Sequence, residues 1–155
     1  MVNTWKPQAG EKIRLTWGQS VYDDLVYLEN LAKHEIPLYM GFIPKDLPTD
    51  STGEKYASGA YYLSSRLLQM ASAIYFESNL DQLTGGTVRL YLHNLTDKAD
   101  VTYLEYTCAM PYQRTNDIKN LLTGDKWYQT RFYVTRAGLL TSKGGGCLPR
   151  LIVVL

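Results

Sequence analysis

Charged and aromatic side chains alternate with apolar ones in three stretches of the sequence, at the period of two that places them on one face of a strand. They are Arg89, Tyr91 and His93 in the first stretch, Tyr103 and Glu105 in the second, and Arg131 and Tyr133 in the third. Aromatic rings stack on the C–H faces of sugars, and Arg, Glu and His pair with sugar hydroxyls. The same mixture stabilises an exposed sheet or forms the interface with another subunit. The sequence therefore predicts one contact face and leaves its occupant open: a glycan, a subunit or solvent.

Residue constellations typical of enzymes are missing from the sequence. His34 and His93 are its only histidines, and it contains no nucleophile-elbow, zinc-protease, phosphate-loop or dinucleotide-binding motif. Glu77 and Asp81 have the residue types of a glycosidase pair, but a position near a strand end and a turn favours solvated charges. We therefore predict a protein without enzymatic activity.

Few residues could hold a cofactor. Asp97 and Asp100 lie in the connection between two predicted strands, where they could bind calcium together with backbone carbonyls or form an ordinary acidic turn. We expect no other metal or cofactor. Cys108 and Cys147 form no CxxC pair and have no nearby histidine. Because both lie in predicted strands, they are interpreted as two buried thiols or as one disulfide.

Antiparallel strands are predicted to position the contact face. The connection over residues 94–100 is short enough for a hairpin, and Asn94-Leu95-Thr96 is interpreted as a turn. Residues 60–78 are predicted as one long or two broken strands, although an apolar stretch of this length also fits a helix. Residues 144–146 are expected to form a flexible glycine loop, and residues 148–155 a strand buried in the middle of a sheet.

The N-terminal segment has a different character from the rest of the chain. Trp5 precedes Lys6-Pro7, which predicts an extended arm, and Thr16 with Gln19 has the spacing of a helix capping box. An apolar stripe follows at helical spacing. We predict that the arm and the helix attach or oligomerise the protein through Trp5, Trp17, Val21, Leu25 and Leu28. The stripe either packs on the chain's own sandwich or forms a short trimeric bundle.

Length and composition fit one domain with an appended segment. The chain has 155 residues, of which 45% are hydrophobic, and this is enough to form a single hydrophobic core. We divide it into an arm, helix and short strand over residues 1–43, a linker or long loop over 44–59, and a sandwich over 60–155. The expected fold class is mainly β: an N-terminal arm and short helix followed by an antiparallel, jelly-roll-like β-sandwich.

Charge and hydropathy patterning exclude several partners. The formal net charge of +1 lacks the basic excess of proteins that bind phosphate backbones, so we expect no nucleic-acid partner. The N-terminus has no apolar core of signal-peptide length, and the terminal LIVVL is too short to cross a bilayer. We therefore expect neither a secretion signal nor membrane insertion.

Two stretches resemble known families. Residues 5–30, in W-K-P-x-x-G-E-K-I-R-L-T-W and the following V-Y-D-D-L-V-Y-L-E-N, resemble the opening of bacteriophage tail-fibre, spike and other virion appendage proteins. They depart from that pattern at Val26-Tyr27, where an asparagine is common. Residues 83–155, with a Gly-Gly strand, G-D-K-W-Y-Q-T-R-F-Y-V and a final apolar strand, resemble jelly-roll carbohydrate-binding modules.

Together the two resemblances imply a virion structural protein that is assembled in the host cytoplasm. Its expected partners are other copies of itself in a homo-oligomer such as a homotrimer, other virion proteins and cell-surface glycans. The alternative is a free-standing carbohydrate-binding module or lectin.

Overall fold

Short strands dominate the computed structural model of the chain, which describes residues 34–155 and the single residue Leu25. The strands are β1 (Glu35–Tyr39), β2 (Leu47–Pro48), β3 (Gly53–Leu63), β4 (Ala73–Leu80), β5 (Gln82–Leu83), β6 (Thr87–Asn94), β7 (Ala99–Tyr106), β8 (Met110–Arg114), β9 (Lys126–Arg136), β10 (Lys143–Gly145) and β11 (Arg150–Val154). The helix α1 spans Ser65–Met70, and a 3-10 helix spans Lys119–Leu121. All of these elements belong to one compact unit, Glu35–Val154.

The strands form two four-stranded antiparallel sheets and a small three-stranded one. The first sheet has the order β1-β11-β4-β8, the second β3-β9-β6-β7, and the small sheet β2-β10-β5. When the eight strands of the two large sheets are counted in chain order, they form four pairs: the first with the eighth, the second with the seventh, the third with the sixth and the fourth with the fifth. This pairing is that of a single long hairpin rolled up on itself, the winding of a jelly roll. The predicted mainly β, antiparallel fold is therefore confirmed.

The alternation seen in the sequence becomes the two faces of the second sheet. Val88, Leu90 and Leu92 of β6 are fully buried, while the residues between them face outward. β9 repeats the pattern with Phe132 and Val134 inward. Each such side chain stabilises the fold by about 1.5–3 kcal/mol on burial. β6 and β7 form the predicted antiparallel hairpin, and the connection between them is a turn.

The inner faces of the two large sheets meet in one core. Phe76 of β4 and Phe132 of β9 are both fully buried. The hydroxyl of Tyr106, at the end of β7, donates a hydrogen bond of 2.6 Å to the carbonyl oxygen of Ser78 in β4. This bond joins the two sheets directly and satisfies a polar atom that would otherwise be buried without a partner.

Residues 60–78, predicted as strands, contain a helix in the middle. β3 ends at Leu63, α1 follows over Ser65–Met70, and β4 begins at Ala73. The Ser64 hydroxyl accepts a hydrogen bond from the Leu67 amide at 3.1 Å, which caps the helix. Leucine, arginine, glutamine and methionine then favour the helix. The apolar run therefore forms the end of one strand, a short helix and the start of the next strand.

The predicted linker over residues 44–59 is part of the sandwich, which corrects the predicted boundaries. It contains β2 and the first seven residues of β3. The short strand assigned to the attachment segment is β1, which pairs with β11 and so belongs to the first sheet. Its two glycines have different reasons: a Cβ on Gly59 would lie 3.2 Å from the Met40 carbonyl oxygen, whereas Gly53 has open space around it but a φ of 118°. Glycine here therefore reflects close packing at one position and backbone conformation at the other, and not a linker.

Of the three glycines predicted as a flexible loop, the first two belong to a buried strand and Gly146 directly follows it. Gly144 and Gly145 lie in β10, between β2 and β5. Gly145 has a φ of 126°, and a Cβ there would collide with the Pro44 carbonyl. Only glycine fits this position, so the run GGG reflects steric exclusion and not mobility. The last strand, β11, lies between β1 and β4 and is central, as predicted.

The two cysteines are free thiols in different environments. Cys147 is buried, whereas Cys108 is exposed in a bend after β7. The possible disulfide between them is not formed, and the alternative of two buried thiols fails for Cys108. Burial raises the pKa of the Cys147 thiol to about 12, which keeps it protonated and unreactive.

Most of the predicted attachment residues lie in the part of the chain that the structure does not describe. Trp5, Trp17, Val21 and Leu28 lie outside the described residues. Leu25 is helical, in agreement with the predicted helix, and 56% of its surface is exposed.

Candidate functional site

The outer face of the second sheet brings the predicted contact residues together. Tyr91 of β6 lies between two other tyrosine rings, with ring centroids 5.6 Å from Tyr103 of β7 and 6.0 Å from Tyr133 of β9. β6 pairs with both of these strands, and the sequence period of two directs all three rings outward. We call this surface, formed by Arg89, Tyr91, His93, Tyr103, Glu105, Arg131 and Tyr133, the tyrosine face.

Arg89 is tied to its neighbours on the tyrosine face. Its Nε donates a hydrogen bond of 2.7 Å to Glu105, and its Nη1 donates one of 3.3 Å to the Tyr91 hydroxyl. Its guanidinium carbon also lies 4.2 Å from the centre of the Tyr103 ring, a cation–π distance. The hydrogen bonds to Tyr91 and to Glu105 raise the pKa of Arg89 above its ordinary value.

Arg131 and His93 are held by acidic residues that the sequence did not assign to this face. Arg131 donates from Nε to Glu54 at 2.8 Å and from Nη1 to Asp100 at 3.3 Å. Asp100 also contacts Nδ1 of His93 at 2.7 Å. The hydrogen bond to Glu54 raises the pKa of Arg131. Glu54 was hidden in the predicted linker, and Asp100 was interpreted as a turn residue or calcium ligand.

The acidic turn after β6 is likewise paired internally. Asp97 accepts hydrogen bonds from the Asn94 amide at 2.9 Å and from the Lys126 ammonium at 2.8 Å. Asp100 faces Arg131 and His93, so the two carboxylates considered for calcium each have a basic neighbour. Among residues 34–155, no group of three His, Cys, Asp or Glu side chains is arranged to hold a metal ion.

A second cluster, missed in the sequence, lies on the outer face of the first sheet. Glu77, interpreted as a solvated charge, is only 7% exposed and sits between two arginines. It accepts hydrogen bonds from Arg114 at 3.3 Å and from Arg150 at 3.2 Å. Arg114 also makes a two-pronged bond with Glu35, which raises the pKa of Arg114. Cross-strand register places Arg150, Glu77 and Arg114 in one row, a signal that the sequence alone does not carry, whereas Glu35 pairs with Val154 farther along the sheet.

A third cluster lies at the end of the sandwich where β3 ends and β9 begins. The rings of Tyr62 and Trp127 lie 5.3 Å apart and are tilted by 59°. Asp125, at a φ of 58°, accepts from the Ser65 hydroxyl at 2.6 Å, the Ser65 amide at 3.0 Å and the Tyr62 hydroxyl at 3.2 Å. These hydrogen bonds lower the pKa of Asp125. The contact face predicted from the sequence included neither Trp127 nor Tyr62.

The described part of the chain has several cavities at its surface. One of about 500 Å³ is lined by small residues and Arg136, with Gly85, Gly86, Gly138 and Ser142 among them. Its lining has hydroxyls but no carboxylate, imidazole or thiol. Another cavity of about 500 Å³ is lined by Glu105, Arg114 and Asp117 among others. Over the described residues, no helix is both long enough and apolar enough to span a bilayer.

Comparison of the chain with protein-family models, with curated proteins and with solved structures found no match in any of the three.

Proposed function

We propose that the chain is a non-enzymatic structural protein of a virus particle, of the appendage, spike or decoration type. It assembles through its N-terminal segment and displays the sandwich toward a host surface or another subunit. The observation that carries this proposal is the jelly-roll winding of the two large sheets. Viral capsid domains and lectins are built on this architecture. A fold hosts many functions, so this support is by analogy.

The chemistry of the sandwich surface supports display and contact over catalysis. On the tyrosine face, Arg89 and Arg131 are each bonded to a carboxylate of a neighbouring strand. Such pairs fix the side chains in place without freeing a base or a nucleophile. Exposed aromatic side chains are common at protein interfaces, and Tyr103 and Trp127 are both exposed here.

The proposed mechanism is multivalent attachment within a virion that is assembled in the host cytoplasm. A symmetric oligomer, as in the predicted trimer, repeats each contact, so the overall avidity exceeds the affinity of one site. Its partners are other copies of the chain, other virion proteins and surface glycans. The mechanism uses neither nucleic acid nor a resident cofactor.

The assembly part of the proposal is tested by comparing the full chain with a fragment of residues 34–155. The fragment retains β1, whose pairing with β11 the first sheet needs. We expect light scattering after size exclusion to give an oligomeric mass for the full chain and a monomeric mass for the fragment. Circular dichroism should show that the fragment keeps its β-structure. A monomeric full chain at micromolar concentration would contradict assembly, and capsid or tail genes beside this one would support the class.

A free-standing carbohydrate-binding module or lectin is the second candidate function. The exposed ring pair of Tyr62 and Trp127 favours it, because exposed aromatic rings suit stacking on sugars. Glycan binding by a monomeric full chain would support this candidate over the first. Glycan binding that persists in both Tyr91→Ala and Tyr103→Ala variants would exclude the tyrosine face as the sugar site.

A further inference from the structure

Of the four outer strands of the two large sheets, β7 has the least obstructed edge. β1 contains Pro37, β8 contains Pro111, and the pairing of β3 with β9 shifts register twice. Prolines and bulges of this kind keep an edge strand from pairing with another chain. β7 keeps one register with β6 over residues 102–106, a stretch without proline or glycine. Its outer edge is therefore suited to accept a further strand.

A groove of about 500 Å³ runs along this edge of β7. Residues 102–105 of β7 line one side of it, and residues 114–118 with Leu121 line the other. The amides of Thr115 and Ile118 already donate to carbonyl oxygens of β4, at 2.9 and 2.8 Å. Among the described residues, the backbone of β7 bonds only to β6. Four residues of a strand extend over about 13 Å, so the groove matches an extended segment of about that length.

The inward side of the groove requires apolar side chains from its occupant. Leu104 of β7 and Ile118 of the opposite side are 7% and 3% exposed, and both line the groove. Leu121, at the end of the 3-10 helix, also lines it and is 59% exposed. An apolar side chain laid into the groove would remove the surface of Leu121 from water, which favours binding.

The outward side of the groove carries negative charge. Glu105 is 44% exposed at its side chain, and Arg89 bonds to only one of its two carboxylate oxygens. Asp117 is a second exposed carboxylate of the lining. The basic residue of the lining, Arg114, is already bonded to two glutamates of the first sheet. The occupant that fits is therefore a strand whose side chains alternate between apolar and basic.

Residues 12–15 of the N-terminal segment have this alternation, in the order Lys-Ile-Arg-Leu. They lie outside the described residues, directly before the capping box that begins at Thr16. The 19 residues from 16 to 34 would span roughly 28 Å even as a continuous helix, which is enough chain to reach a neighbouring molecule.

We propose that residues 12–15 of one copy add to β7 of a neighbouring copy, as a fifth strand of its second sheet. Backbone hydrogen bonds to β7 supply affinity, Ile13 and Leu15 extend the inward apolar side, and Lys12 and Arg14 face the carboxylates. This inference rests on the proposed assembly through the N-terminal segment, because it names the surface that receives that segment.

The first test is the mass of the full chain by light scattering over a dilution series. Leu121→Lys places a positive charge beside the basic strand and removes an apolar contact. It should raise the concentration at which the oligomer dissociates by roughly tenfold or more. Leu95→Lys is the matched control, since Leu95 is 42% exposed and lies in a turn outside the groove. This control should assemble like the wild type.

The second test is a synthetic peptide of residues 10–17 added to the full-length oligomer. We expect the peptide to compete for β7 and to lower the mean mass. The same peptide with Ile13→Asp should have no effect, because a carboxylate would enter the apolar side of the groove. Circular dichroism checks the fold of the lysine variants, and the peptide decides the question if Leu121→Lys does not fold.

The outcomes separate this inference from the assembly proposal. An unchanged oligomer in folded Leu121→Lys, equal weakening in Leu95→Lys, or no competition by the peptide would overturn the strand addition. Each of these results would leave the oligomeric mass as support for assembly. A monomeric wild type would overturn both. Protease cleavage of the N-terminal segment that becomes faster in a monomeric Leu121→Lys than in a monomeric wild type would show that the segment binds its own chain.

Discussion

Single residues of this protein show how burial changes the role of a charge. Glu77 is nearly buried and accepts hydrogen bonds from both Arg114 and Arg150, whereas Glu35 bonds Arg114 in an exposed position. Removing one member of a buried ion cluster leaves the others desolvated and unpaired. An exposed pair contributes little, because water screens it and its side chains lose freedom. The two glutamates share one arginine and should nevertheless differ in importance.

We predict that Glu77→Gln lowers the free energy of unfolding by about 3 kcal/mol. The amide keeps one acceptor but loses the charge that compensates two arginines. The matched variant Glu35→Gln should cost less than about 1 kcal/mol. Urea denaturation of both variants and the wild type measures the difference. Equal losses in the two variants would show that Glu77 is not the centre of the cluster.

Between elements, the segment before the 3-10 helix is attached to the start of β4 through one carboxylate. Oδ1 of Asp117 accepts hydrogen bonds from the amides of Ile74 and Lys119, both at 2.9 Å. These bonds, that of Ile74 above all, lower the pKa of Asp117. A carboxyl whose pKa is lower in the folded state stabilises the fold above its unfolded pKa, near 3.9, and loses that contribution as the pH falls through the folded value.

We therefore predict that the loss in the free energy of unfolding caused by Asp117→Ala depends on pH. At pH 7 the variant should lose about 1–2 kcal/mol, because the Ile74 amide loses its acceptor. Below about pH 4 the difference in the free energy of unfolding between variant and wild type should become smaller, since the wild-type carboxyl becomes protonated. Denaturation between pH 2.5 and 7 measures the gap, with the neighbouring Asn116→Ala as a control of little effect. A gap that stays constant over this range would contradict the assignment.

Elements also show where sequence patterns mislead. The alternating stretches of β6, β7 and β9 were predicted with their faces, because a half-buried strand imposes a period of two on its own residues. The segment over residues 60–78 carries no such period, and a single serine cap at Ser64 decides where strand gives way to helix. Gly144 and Gly145 were predicted as a loop, because a glycine required for close approach looks the same in sequence as a glycine in a loop.

For the whole molecule, a buried hydrogen bond joins the two large sheets within the apolar core. The buried Tyr106 hydroxyl donates to the Ser78 carbonyl across the sheets, and burial raises the pKa of this phenol. The bond is therefore present over the whole working pH range. Because the jelly roll pairs strands far apart in the chain, such a contact helps to fix how the rolled hairpin closes.

We predict that Tyr106→Phe lowers the free energy of unfolding by about 1–2 kcal/mol, since the Ser78 carbonyl loses a buried donor while ring packing is kept. Tyr103→Phe removes a hydroxyl from an exposed ring and serves as the control, with a change near zero. Thermal unfolding of the two variants measures the effect. Similar melting temperatures would indicate that water or another group replaces the bond.

The sequence by itself determined the strand character of the C-terminal two thirds, the faces of its alternating strands and the set of residues on the tyrosine face. Those properties follow from local periodicity, which each strand carries within its own few residues. Tertiary structure alone decided that Glu54 and Asp100 complete the ion pairs of that face, that Glu77 is buried between arginines, and that Tyr62 meets Trp127. Each of these contacts joins positions distant in the chain, and strand order and register bring them together. A pairing between distant strands leaves no trace in the spacing of either strand, so only the rolled hairpin reveals it.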